Sequence, residues 1–224
     1  MTTVGLRWHG MDSLLSLDHG FVSQPRSPVF TIGHSNHAAE AFLELLLRHE
    51  IEEVVDVRSS PHSRFNPQFN RRTLQATLAE ARVGYVFMGA ELGGRPADPA
   101  CYDSEGRVQY DRLVQTGAFR AGIRQVIRWA GEHRIALMCS EKEPLDCHRT
   151  LLIAQVLTAR GMAVAHLLAD GNLERHAAAM DRLLDRFKLP GDGDLFRSRE
   201  QTITDAVNRQ ARQVAYVGRP PGSV

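Results

Sequence analysis

Cys139, Glu141, Lys142, Asp146, Cys147, His148 and Arg149 fall within one short stretch, CSEKEPLDCHR, between the apolar run IALM and the apolar run that opens TLLIA. Such a change from strand-like to helix-like patterning places the stretch at a strand-loop-helix junction. Cys147 then sits where a helix begins. The unpaired N–H groups and the dipole there stabilise a thiolate, and His148 and Arg149 add positive charge. A thiol so placed is a usable nucleophile or redox group, although most free cysteines are packed structural residues. Cys139, at the strand end, reads as a residue lining the site. The C-x5-R spacing of cysteine phosphatases is absent, because the relevant position is Leu145 after Cys139 and Ile153 after Cys147. Cys139, Cys147 and His148, joined by His34, are also soft and borderline metal ligands. They lack C-x2-C or H-x3-H spacing and have Arg149 and Lys142 beside them, so no metal is expected.

A second stretch carries a different chemistry. Between residues 57 and 79 there is no Asp or Glu, but there are Arg58, Arg64, Arg71, Arg72 and His62 among serines and asparagines. Guanidinium groups in such a loop suit a carboxylate or a phosphate. Arg58, Arg64 and Arg149 are the expected anion-holding residues, with Ser35, Cys139, His148, Gly93 and Gly94 lining the same site. Phe65 and Phe69 either stack on a base or anchor the loop. Asp56 is expected on the opposite strand face from Arg58, orienting neighbouring loops. His34 and Glu141 are the acid–base candidates, and each is equally open to a structural hydrogen-bonding role. Gly93-Gly94 permits close backbone approach or only a tight turn.

These residues need elements to position them. Apolar and β-branched runs predict strands at 29–33, 53–57, 84–88, 135–139 and 162–167. Between them, helical periodicity marks the segments beginning near 38, 71, 119 and 151, a further helix from Leu173 to Phe187, and a last one near 198–212. This alternation predicts an α/β fold, a mainly parallel sheet of about five strands with helices on both faces. Ligands of open parallel sheets bind beyond the carboxyl ends of the strands. Every chemically rich loop here follows a strand, so His34-Ser35-Asn36, the arginine loop, Gly93-Gly94-Arg95 and CSEKEPLDCHR are expected to converge on one crevice. Residues 1–27 read as an N-terminal extension with one helical turn near Leu14–Leu17. Residues 28–190 form the core, and 191–224 a helical appendage and tail.

Composition bounds the rest. A net charge of +1 over 224 residues gives no case for a general nucleic-acid or membrane binder, so any anion site must be local. Three cysteines form no disulfide framework, and reduced thiols in the cytoplasm are expected. No apolar run is long enough to span a bilayer, the N-terminus does not read as a signal peptide, and no cofactor motif is present.

TIGHSN at 31–36, DVRSSPHSRFNPQFN at 56–70, ELGGRP at 91–96 and CSEKEPLDCHR at 139–149 resemble the bacterial family called domain of unknown function 488, over about residues 29–187. The resemblance implies a cytoplasmic α/β domain with these motifs clustered, and no settled reaction. The functional expectation is an enzyme with an anion-recognising crevice, acting on a phosphorylated small molecule, nucleotide or nucleic-acid end. Cys147 would be nucleophile or redox thiol, with His34 and Glu141 moving protons. A non-catalytic ligand or nucleic-acid binding module using Phe65 and Phe69 is the second reading, and a metal-dependent hydrolase the third. Oligomeric state is left open.

Overall fold

The computed structural model describes residues 27–192 and 197–218. The expected turn at Leu14–Leu17 and the residues beyond Gly218 lie outside them. Six strands form one sheet: β1 (Val29–Gly33), β2 (Glu53–Asp56), β3 (Gly84–Phe87), β4 (Ile135–Cys139), β5 (Val164–Leu167) and β6 (Leu173–Arg175). Their order across the sheet is β3-β2-β4-β1-β5-β6. The first five are mutually parallel, and β6 pairs antiparallel with β5 at the edge. The fold is therefore α/β with a mainly parallel sheet. The sixth strand is the difference from expectation: Leu173 is half exposed and pairs with Leu167, rather than opening the helix that follows.

The helices are α1 (Ala39–Arg48), α2 (Arg71–Glu80), the short α3 (Gly89–Leu92) and α4 (Tyr110–Leu113), α5 (Gly117–Glu132), α6, α7 (His176–Arg186) and α8 (Arg199–Val214). Helix α6 starts as a π-helical stretch, Arg149–Ala154, and continues in α form over Gln155–Ala159. Strand parity sorts the core. Val29, Val55, Ile135, Leu137 and Cys139 pack against one helical layer that includes Phe119 and Ile123 of α5, Leu151 of α6, Leu183 of α7 and Val207 of α8. Phe30, Ile32, Val54, Ala136, Met138 and Leu167 face the opposite way, onto Phe42 and Leu46 of α1 and Leu74 and Leu78 of α2. The two-residue period of a strand dictates this split. Each fully buried Leu or Phe contributes about 1.5–3 kcal/mol.

Helix α8 is not a loose appendage. Its capping box, in which the Ser198 hydroxyl accepts from Gln201 N and the Gln201 side chain accepts from Ser198 N, fixes where it starts. Ala206, Val207 and Ala211 then pack into the main core. Gln210 Nε2 donates to Asp146 Oδ1 at 2.9 Å, and Val108 N donates to Tyr216 O at 2.9 Å, tying the end of the described chain to two other loops.

One buried polar chain runs between the sheet and α7. Gln155 Nε2 lies 3.1 Å from His176 Nε2, His176 Nδ1 lies 3.0 Å from His166 Nε2, and His166 Nδ1 lies 2.8 Å from Thr31 Oγ1. Each link carries one proton if both rings are neutral and donate in the same direction. Burial and the neighbouring ring hold His166 well below the ordinary histidine range, and burial holds His176 at about 4. The unfolded chain takes up protons on these histidines as the pH falls through about 6.5, while the folded chain does not. Their contribution is therefore complete above pH 6.5 and is lost toward pH 4, by about 1.4 kcal/mol per pH unit for each ring. Urea titrations at pH 7 and pH 5 are expected to show this loss, and His176→Gln to flatten it. An unchanged slope in that variant rejects the account.

Candidate functional site

The carboxyl ends of β1, β2 and β4 open onto a crevice of about 600 Å³ whose walls include His34, Ser35, Asn36, Arg58, Ser59, Ser60, Gly94, Arg95, Cys139, Glu141, Cys147, His148 and Tyr216. The parallel register explains why these loops meet. Gly33 stands opposite Cys139, and Asp56 opposite Met138, so the strands end level with one another. Pairing continues past the strands, with His34 N donating to Cys139 O and Ser35 N to Ser140 O, both at 2.9 Å. Ser35 accepts a left-handed backbone, φ +47°, to make this turn.

The floor of the crevice is a cluster of four side chains. Cys139 Sγ and Cys147 Sγ lie 2.9 Å and 3.1 Å from Glu141 Oε2. His148 Nδ1 lies 3.6 Å from Cys139 Sγ and 3.8 Å from Cys147 Sγ. His148 Nε2 donates to Val57 O at 3.1 Å, which turns Nδ1 toward the two sulfurs. Gly94 packs against the same ring, since a Cβ there would stand 3.1 Å from His148 Cγ. Cys147 ends a 3-10 turn, Pro144–Asp146, and its carbonyl accepts from Thr150 N and Leu151 N, so it does stand at the mouth of α6. Burial acts to raise the Cys147 thiol, but the Cys139 S–H, Arg149 and His148 outweigh it and hold it well below its usual value. The Cys147 thiolate, together with burial, pushes Cys139 up. Burial and the Cys147 sulfur raise Glu141 as well. Burial acts to lower His148, but the Cys147 sulfur and the Glu141 carboxylate outweigh it and raise the imidazole above its usual range. The shifts at Cys147 and His148 run toward negative charge on the sulfur and a proton on the imidazole, beside a carboxyl group able to exchange a proton.

The second group lies on the other face of the sheet. Arg58 and Asp56 are two residues apart and so share a strand face, contrary to the expectation of opposite faces. Arg58 Nε and Nη2 donate to the two Asp56 carboxylate oxygens at 2.8 Å and 2.6 Å, and Nη2 also donates to Phe69 O. Tyr85 Oη donates to Asp56 Oδ2 at 2.7 Å. Arg58 Nη1 donates to His34 Nε2 at 3.1 Å, and His34 Nδ1 donates to Ser35 O at 2.8 Å. Both ring nitrogens of His34 are thus engaged, its ring stacks on Phe69 at 4.3 Å, and burial and Arg58 hold it near pKa 4. That geometry makes His34 a neutral link rather than a proton carrier.

Three further expectations change. Arg149 is fully buried and donates to Glu141 O and Lys142 O, so it shapes the loop instead of facing a ligand. Arg64 is exposed and leans toward Phe65 rather than lining the crevice. Gly93 is buried against Ser59 and Gly89, and only Gly94 reaches the wall. The two phenylalanines part company: Phe69 anchors the loop in the core, while Phe65 is 86% exposed. The sequence reading placed Arg95 and Asp146 in converging loops without giving either a role, and it missed Tyr110 and Tyr216 on the crevice wall. Arg95 N donates to Ser59 Oγ, and its guanidinium stands 4.4 Å from the Tyr216 ring. Its position directly after Gly93-Gly94, in a loop following β3, was the available signal.

A family model described as domain of unknown function DUF488 matches residues 38–156, more than half of the chain. The chain belongs to the DUF488 family. The DUF488 match takes in the arginine loop, Gly93-Gly94 and the whole Cys139–Arg149 stretch. It is narrower than the span expected from the motifs, leaving His34, Ser35, β5 and the last two helices outside. Comparison with curated proteins and with solved structures gave no match. Among the described residues, no helix of this DUF488 protein is long and apolar enough to cross a membrane.

Proposed function

We propose that this DUF488 protein is an enzyme acting on an anionic substrate, a phosphorylated small molecule, nucleotide or nucleic-acid end, held in the crevice. The observation that carries the reading is the placement of a reactive thiol–carboxylate–imidazole floor beneath a rim of hydroxyls, amides and guanidinium. Arg95, the remaining Nη1–H of Arg58, and the side chains of Ser35, Asn36, Ser59 and Ser60 are the anion-recognising groups. Glu141, with its raised pKa, moves the proton. Arg149 and His34 act by fixing the loops that carry these groups. Proton transfer by a positioned carboxyl contributes about 10²- to 10⁴-fold to rate.

Arg95 is exposed, so Arg95→Ala tests recognition without disturbing the core. A charge-assisted hydrogen bond is worth about 1.5–3 kcal/mol, so the variant is expected to bind inorganic phosphate and AMP about tenfold more weakly or worse by calorimetry. Binding that is equal in wild type and variant, or absent from both, rejects the anion site. Turnover of a panel of phosphomonoesters and nucleotides, lost in Glu141→Gln while binding persists, supports the enzymatic reading. The exposed Phe65 favours the alternative of a nucleic-acid binding module. In that case Cys147→Ser leaves salt-sensitive binding of a single-stranded oligonucleotide intact and Phe65→Ala removes it.

A further inference from the structure

We infer that Cys139, Cys147 and His148, with Glu141 at the fourth corner, form a binding site for a thiophilic divalent cation, zinc in the first instance. The inference rests on the crevice floor being the reacting centre, and it assigns that floor an ion rather than an attacking thiol.

Geometry is the first argument. The ligand atoms of Cys139, Cys147 and His148 lie within 4.8 Å of one another. Tetrahedral zinc, with Zn–S about 2.3 Å and Zn–N about 2.0–2.1 Å, requires sulfur–nitrogen edges of about 3.6 Å. The observed edges are 3.6 Å and 3.8 Å. Glu141 Oε2 stands against both sulfurs at 2.9 Å and 3.1 Å, which is hydrogen-bonding distance. A bound ion would widen those edges to about 3.5 Å.

The histidine supplies the second argument. Metal-bound imidazoles characteristically donate the other ring N–H to a carbonyl or carboxylate, which fixes the tautomer. His148 Nε2 donates to Val57 O, and Gly94 allows the loop after α3 to close on the ring.

Charge is the third argument. Two thiolates and a carboxylate total −3, and a divalent ion leaves −1. The fully buried Arg149, held against Glu141 O and Lys142 O, offsets that charge. Arg149, the last residue of CSEKEPLDCHR, which argued against a metal in the sequence, becomes a counter-charge to the loaded site. Both sulfurs are almost completely buried while Glu141 opens to the crevice, so the carboxylate corner is where water or a substrate oxygen exchanges. Loading releases into the crevice water the protons that the sulfurs and His148 Nδ1 hold between them, with no change of oxidation state.

The test uses the full chain, expressed without a polyhistidine tag and purified without chelator. Elemental mass spectrometry is expected to find one equivalent of zinc. Chelation followed by cobalt(II) is expected to give a thiolate-to-cobalt charge-transfer band and the visible bands of tetrahedral cobalt, both lost in Cys147→Ser and in His148→Ala. Should those variants misfold, alkylation of the wild-type chain decides. Zinc is expected to slow modification of Cys139 and Cys147 at least about tenfold, as mass spectrometry of the peptides reads it. A chain isolated without metal, silent to cobalt and alkylated at one rate with or without zinc overturns the inference. Zinc bound without any turnover leaves the metal site standing and removes the enzymatic reading. Phosphate binding that depends on Arg95 in a chain that takes no metal does the reverse.

Discussion

Asp56→Ala is expected to leave the protein at the edge of unfolding. Asp56 is fully buried at the end of β2 and holds four donors: Arg58 Nε, Nη2 and backbone N, and Tyr85 Oη. Arg58 itself is 3% exposed. Removing the carboxylate leaves a guanidinium buried without its counter-charge, and breaking a buried pair in this way costs about 3–5 kcal/mol. Folding free energies of about 5–15 kcal/mol make that a large fraction. For a chain of this size the melting temperature is expected to drop by roughly 6–20 °C. Asp56→Asn keeps the shape and some acceptors, and is expected to fall between. Tyr85→Phe removes one charge-assisted bond and is expected to lose about 1.5–3 kcal/mol. The consequence reaches the crevice, because Arg58 also holds His34 and the Phe69 carbonyl. A denaturation midpoint for Asp56→Ala close to wild type, in urea or heat, contradicts this account.

The second large effect belongs to Gly33→Ala. A Cβ at residue 33 would stand 1.9 Å from the Glu141 carbonyl oxygen and 2.8 Å from its carbon. Both are backbone atoms, so no rotamer relieves the contact. The variant must push the Glu141 loop away from β1 and disturb the Arg149 Nη1 hydrogen bond to the same oxygen. Overpacking a tight site costs about 1–3 kcal/mol and more where backbone must move, so a loss of about 3 kcal/mol is expected. Because the displaced carbonyl belongs to Glu141, alkylation of Cys139 and Cys147 is also expected to quicken. Gly131→Ala is the control: nothing stands within 4 Å of its Cβ near the end of α5, and the change is expected to be neutral or slightly stabilising. Equal melting temperatures for Gly33→Ala and wild type remove the claim that β1 and the loop after β4 are packed backbone to backbone.

The two substitutions bear on different walls of the crevice. Asp56 and Arg58 lie on the sheet face that meets α1 and α2, while Cys139 and the helix after it lie on the other. The crevice exists where the strands stop and the two faces become continuous. Its floor and its arginine-bearing loop can thus be perturbed separately, and the proposed reaction needs both.

By itself, the sequence determined the order of the five parallel strands and the longer helices, because a two-residue or 3.6-residue apolar period is a local property that any stable packing must satisfy. It also determined that the chemistry gathers at one end of the sheet, since every polar loop follows a strand and parallel strands end together. The pairing of Asp56 with Arg58 was within its reach too, because residues two apart on a strand share a face. Tertiary structure alone decided which groups are consumed by one another. Arg149 turns inward to two carbonyls, His34 spends both ring nitrogens, and Arg95 meets Tyr216 from the far end of the chain. The same holds for the Cys139–Cys147–His148 cluster, whose linear spacing matches no familiar metal motif. A loop of seven residues returns the chain to the strand end it left, and His148 is aimed by Val57, a residue of β2's continuation rather than a neighbour in sequence. Contacts of that kind follow from the strand order β3-β2-β4-β1-β5-β6, which places β2 and β1 on either side of β4. Local periodicity carries no record of that order, because the free energy that sets it comes from the whole core.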